Sequence, residues 1–189
     1  GFERMILQGA HGLLERSVFG IEVEVNFIER YIGQASFSDI DRFLQPLGFQ
    51  LFDLQCRYMK RREGIRMGGP KGQLTHATAL YFRSLEWLRS AVDRQGASES
   101  KRNTVLHAIT VVLLYGYTDF ALQIYRAFES LFESGDREAL ESLFKQQTVN
   151  GWPEFYGRHR LWRWASGLAR RLKSRSSWGG SGDTGLGNL

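Results

Sequence analysis

The chain has 189 residues, 42% of them apolar, and a formal net charge of +5. That is enough apolar content for a real core in one or two domains, and it argues against a wholly disordered chain. A single cysteine, Cys56, excludes an internal disulfide and fits a reducing, cytoplasmic setting. No apolar run reaches the ~18 residues of a membrane span, because His107 and Thr110 interrupt the best one.

Residues 1–17 open in mid-pattern. Met5, Ile6, Gly9, Ala10, Leu13 and Leu14 fall on one helical face, with small Gly9 and Ala10 allowing close approach to a sheet. The absence of an initiator methionine or signal peptide and the early helix start suggest a fragment, with the preceding strand and turn expected upstream. In Gly20-Ile-Glu-Val-Glu-Val-Asn-Phe27, apolar Ile21, Val23 and Val25 alternate with Glu22, Glu24 and Asn26, the two-residue period of a strand. Two glutamates on one strand face are either solvated at an exposed edge or, if covered, need partners or a ligand.

Ser38 can cap a short helix in which Ile40, Phe43, Leu44 and Leu47 share a face, with Asp41 three residues beyond the cap and Gly48 past the end. Phe49 to Cys56 and Thr75 to Phe82 are further strand candidates, joined by a basic, glycine-rich loop. Strand, helix, strand implies a right-handed parallel crossover, and the last strand, reached by a plain loop, is expected antiparallel at the sheet edge.

Beyond Arg83 the pattern becomes helical. Leu85, Leu88 and Val92 lead to Gly96, and residues 97–100 read as a linker. Val105, Ile109, Val112 and Gly116, then Phe120, Ile124, Phe128 and Leu131, predict two antiparallel helices, and Asp136 caps a third with Leu140 and Phe144. Within 152–175, Leu161, Trp162, Trp164, Leu168 and Leu172 stand among seven basic residues, from Arg158 to Arg175. That pattern suits a peripheral membrane helix and, less well, a nucleic-acid patch; a solvated helix packed by its Trp face is the bland alternative. Serine and glycine dominate from Ser174, which predicts disorder. The expected divisions are 1–83, 84–150, 151–175 and 176–189.

Several short motifs stand in register. Gly1-Phe-Glu-Arg-Met-Ile-Leu-Gln-Gly-Ala10 is followed by Glu22-Val-Glu-Val-Asn-Phe27, Tyr31-Ile-Gly-Gln34, Phe37-Ser-Asp-Ile-Asp41, Phe43-Leu44, Gly48-Phe49 and Leu51-Phe-Asp-Leu54. Gly69-Pro-Lys-Gly-Gln-Leu74 and Ala79-Leu-Tyr81 close the series. Together they resemble the C-terminal half of the FkbM family of S-adenosylmethionine-dependent methyltransferases, over Gly1 to about Arg83. The resemblance implies an α/β fold, the back half of a class I (Rossmann-like) methyltransferase sheet with a final antiparallel strand, followed here by the helical module. It also implies methyl transfer from S-adenosylmethionine to an oxygen of a sugar, glycan or secondary metabolite. The family's cofactor-binding strands lie upstream of Gly1, so the fragment alone is expected to be inactive.

In such a fold ligands sit beyond the carboxyl ends of the strands. Glu24 and Asn26, nearest that end, are the candidate catalytic pair, as base or hydrogen-bond acceptor and as orienting amide. Glu24 is equally readable as the partner of Arg30 or Arg57. Glu3, Glu22, Tyr31 and Gln34 are the candidate acceptor-binding residues; a helix-start acid favoured by the macrodipole, a structural carboxylate and a packed tyrosine are the simpler readings of the first three. His11, His76, His107 and His159 show no metal-ligand spacing, and His76 is expected to pack or hydrogen-bond within its strand. Gly68 to Gly72 leads into a strand and lacks the Lys-Ser/Thr ending of a phosphate loop, so it reads as a hairpin loop whose glycines supply positive φ. Beside the enzyme stands a second reading, a non-catalytic interaction module presenting its basic aromatic helix to a membrane surface or nucleic acid.

Overall fold

A computed structural model describes residues 1–67, 72–149 and 164–165. It shows a mixed α/β fold in which a three-stranded sheet lies between two groups of helices. The sheet comprises β1 (Gly20–Asn26), β2 (Phe49–Met59) and β3 (Gln73–Arg83), in the order β1-β3-β2. β3 is antiparallel to both neighbours, so β1 and β2 run the same way without touching.

The last strand is thus central, where an edge position is expected from the sequence. The reason lies in β3 itself. Ala77, Ala79 and Tyr81 are buried on one face and Leu80 and Phe82 on the other, so its second half is buried on both sides. Only an inner strand with both faces covered accommodates such a run.

One face carries Val23 and Val25 with Ala77, Ala79 and Tyr81, under α1 (Glu3–Gly9), α2 (His11–Arg16) and α3 (Phe37–Leu44). The cap of α3 falls two residues earlier than the sequence suggests. The Ser36 hydroxyl accepts from the Asp39 N–H at 3.3 Å, while Asp39 accepts from the Ser36 N–H at 2.9 Å, a closed capping box. Gly48 follows with φ of 86°, the left-handed conformation that turns the chain into β2.

The N-terminal segment departs from expectation more strongly. The helix breaks at Ala10, and Leu7 and Leu14 are the buried residues, whereas Met5, Ile6 and Leu13 are exposed. Nothing approaches the position of a Gly9 Cβ, so Gly9 makes no close contact with the sheet. Of the anticipated apolar face, Leu14 and Ala10 pack into this core, while Leu7 takes the place expected for Met5 and Ile6.

The opposite face lies under α4 (Leu85–Asp93), α5 (Ser98–Leu114) and α6 (Thr118–Ala127), with α7 (Ser134–Val149) packed on α6. Val105, Ile109, Val112, Phe120 and Ile124 share one core with Leu80 and Phe82. Phe52, at a bulge in β2, meets Phe82, Tyr117 and Phe120 at ring separations of 4.9 to 5.1 Å. The helical segment therefore packs as a layer of the sheet. Residues 98–100, expected as linker, are the first turn of α5. Asp136 lies in the first turn of α7, where its carboxylate accepts from Arg102 Nε at 2.8 Å and Nη2 at 2.9 Å, a two-pronged tie between α5 and α7, and also from the backbone of Glu133 just ahead of the helix. Gly72 serves by close approach: a Cβ there would run into the backbone of Met59. The rest of that loop, residues 68–71, and the basic aromatic segment and tail, apart from residues 164–165, lie outside the described residues.

Candidate functional site

Strand geometry brings the site together. The glutamate-bearing face of β1 continues across the sheet through Leu80, Thr78 and His76 of β3, which pair with Glu22, Glu24 and Asn26, and through Asp53, Gln55 and Arg57 of β2. Half of this face is dry and half is polar. At the Leu80–Phe82 end α5 and α6 cover it; at the other end Glu24 is exposed, Gln55, Arg57, His76 and Thr78 are half-buried, and Asn26 is buried.

On this shelf Arg30, just past the end of β1, folds back. Its Nη2 donates to Asn26 Oδ1 at 2.7 Å and to Glu24 Oε1 at 3.2 Å. Asn26 is buried, while the Glu24 side chain is about half exposed, at 49%. Of the two partners the sequence leaves open for Glu24, the structure shows Arg30. The loop is tied off locally: Arg30 N–H donates to Gln34 Oε1 at 3.0 Å, and Gly33 N–H to Glu29 Oε1 at 3.0 Å. Gly33 has φ of 77°, which a side chain would strain.

Glu3 adjoins the same cluster. Burial raises its pKa, but hydrogen bonds from its own N–H and the terminal amine, with the nearby charge of Arg30, outweigh this and hold its carboxyl below the ordinary value. Tyr31 and Gln34 line a cavity of about 610 Å³ together with Phe2, Met5 and Ile32. Tyr31 is 67% exposed, so the packed reading of that residue is set aside. Five of the six candidate residues, Glu3, Glu24, Asn26, Tyr31 and Gln34, thus lie around one end of β1.

Glu22 stands apart. Its Oε1 accepts a hydrogen bond from the Tyr115 hydroxyl at the end of α5, beside the covered half of the face. That bond, followed by burial, pushes the tyrosine up to about 12. Glu22 joins sheet to helices at the margin between the two halves of the face.

Sequence reasoning missed His76 as a member of the site. Its Nδ1 lies 2.9 Å from Thr75 Oγ1, and the Thr75 hydroxyl donates in turn to the Arg57 carbonyl at 3.3 Å. Burial depresses its pKa, Arg30 and Arg57 add to the depression, and Glu24 opposes it. The ring is therefore neutral at pH 7 and able to accept a proton. Only the register that the structure supplies sets His76 opposite Asn26 and so on the same face.

No group of three or more histidine, cysteine, aspartate or glutamate side chains is placed to hold a metal among the described residues. No described helix is long and apolar enough to cross a membrane. No family model, curated protein or solved structure gives a significant match to this chain.

Proposed function

We propose that this chain carries the acceptor side of an S-adenosylmethionine-dependent O-methyltransferase acting on a sugar, glycan or secondary metabolite, within a class I methyltransferase sheet. The observation that carries the reading is the convergence of Glu24, Asn26, Arg30 and His76 on one partly open stretch of the sheet face. The motif resemblance and the antiparallel last strand support it. The cofactor supplies an electrophilic methyl group; the residues here orient the attacking hydroxyl and take its proton. Arg30 holds the Glu24 carboxylate and the Asn26 carbonyl, leaving the Asn26 amide to donate. Glu24, already held by Arg30, acts as hydrogen-bond acceptor to the hydroxyl. Neutral His76 is the better proton acceptor.

The test is transfer of a labelled methyl group to sugar hydroxyls by the longest chain the gene encodes. Glu24→Gln and His76→Gln are each expected to lower the rate by about 10²-fold or more. Unchanged rates in both would reject the site, and no transfer to any hydroxyl acceptor would reject the activity. The alternative of a non-catalytic module has one observation in its favour, Trp164 at 67% exposure in the basic aromatic segment. Under that reading the chain binds anionic vesicles and Trp164→Ala weakens binding. Equal retention on neutral and anionic vesicles would remove the membrane version.

A further inference from the structure

A second site lies between α2, α4 and α5, away from the shelf and independent of the methyltransferase reading. A cavity of about 370 Å³ opens there. Its polar rim is cationic or neutral: Arg16 from α2, Arg94 at the end of α4 and His107 from α5, with no aspartate or glutamate among the lining residues. Gln95 and Thr104 also line it, but they are occupied with each other, the Gln95 amide donating to the Thr104 hydroxyl at 2.9 Å. The apolar wall includes the rings of Trp87 and Phe19.

Behind the Trp87 wall sits a fixed positive charge. Arg83 is fully buried, its guanidinium carbon 3.8 Å from the centre of the Phe49 ring and 4.2 Å from that of Trp87. Nε donates to the Val18 carbonyl at 2.9 Å, while Nη1 and Nη2 are buried and have no hydrogen-bond partner. Stacking between two rings offsets part of the cost of that burial. It does not neutralise the charge, and burial followed by the field of nearby Arg94 brings the guanidinium down to about 10, with Glu15 opposing. A buried cation is normally matched by an anion in direct contact. Here the described residues provide none in contact, and Trp87, on which the guanidinium stacks, also lines the cavity rimmed by two further arginines.

We propose that this cavity binds a small organic oxyanion, a phosphate or carboxylate borne on a flat apolar body. The oxyanion meets Arg94, Arg16 and His107, and the body lies along Trp87 and Phe19. Guanidinium groups suit this role because their forked N–H donors match both phosphate and carboxylate oxygens. The buried charge of Arg83 adds a field that bulk water screens poorly. The volume falls within the range of small-molecule pockets and admits a single-ring ligand.

Isothermal titration of the whole chain with phenyl phosphate, benzoate and phenol tests this. Saturable one-to-one binding of phenyl phosphate, benzoate or both, without binding of phenol, is expected. The preferred anion tells phosphate from carboxylate. Arg94→Gln is expected to weaken binding about tenfold or more, with His107→Gln as a second variant of the same rim. Arg126→Gln, which changes an arginine at a different cavity, is expected to leave affinity unchanged. Failure of both anions to bind, equal binding of phenol, or equal weakening by Arg94→Gln and Arg126→Gln would each overturn the assignment. Methyl-transfer activity plays no part in this readout, so the two readings stand or fall separately.

Discussion

The two halves of the glutamate-bearing sheet face are built from the same alternating strands and come to opposite ends. In one, Leu80 and Phe82 are sealed under α5 and α6, and the carboxylate at its margin, Glu22, is held by Tyr115. In the other, Thr78 and His76 occupy the equivalent positions of β3, and Glu24 and Asn26 are held by an arginine from the following loop. Strand geometry is common to both, so what distinguishes structural from accessible polar surface is whether a helix lies overhead. A carboxylate beside a dry interface becomes a strut, whereas one beyond it is kept in place yet within reach of a ligand.

The comparison breaks most visibly on truncation of the covered half. Phe82→Ala removes a fully buried ring and is expected to destabilise the fold by about 3–5 kcal/mol, read as a shift of the urea midpoint at unchanged slope. A shift as small as that of a surface substitution would mean that the helices do not seal this half.

Tyr115→Phe comes next. Loss of its partly exposed hydrogen bond to Glu22 is expected to cost about 0.5–1.5 kcal/mol. The bond also has an alkaline signature. The folded-state pKa of Tyr115 lies above the ordinary tyrosine value, so its contribution is complete below about pH 10 and lost as pH climbs towards about 12. The variant should lack that part of the alkaline decline, measured as denaturation midpoints from about pH 8 to about pH 12.

On the shelf the sharper readout is titration. Glu24→Gln removes the one influence that raises the His76 pKa, so the ring should titrate lower; Arg30→Gln removes one that lowers it, so the ring should titrate higher. Ring proton shifts followed by NMR check both signs, and movement in the same direction would separate His76 from the cluster. Because His76 is depressed in the fold, its contribution to stability is present above about pH 6.5 and declines as pH falls below it. The smallest effect belongs to Thr78→Ala, expected within about 0.5 kcal/mol by the same urea measurement, since that position is only half-buried.

Much of this was legible in the sequence, for reasons that differ by element. β1 announced itself through strict alternation, and α3 through its apolar face and terminal glycine, with the cap displaced from Ser38 to Ser36 because both serines stand three residues before an aspartate. The position of β3 was misread, although the apolar run from Ala79 to Phe82 already carried the signal of burial on both faces. Met5, Ile6 and Leu13 misled because helical periodicity reports an apolar stripe without saying what covers it. The grouping of Glu3, Tyr31 and Gln34 near Glu24 could be read only through the motif resemblance. His76 and Arg83 were missed because a partner contributed by register or by long-range packing leaves no local pattern.

The central position of β3 has a consequence for biosynthesis. Translation delivers β1 and β2 first, and neither can pair with the other in the native arrangement until the strand that separates them has left the ribosome. Until then two strands present unsatisfied edges to solvent, so nascent chains truncated before residue 73 should be the ones that chaperones retain.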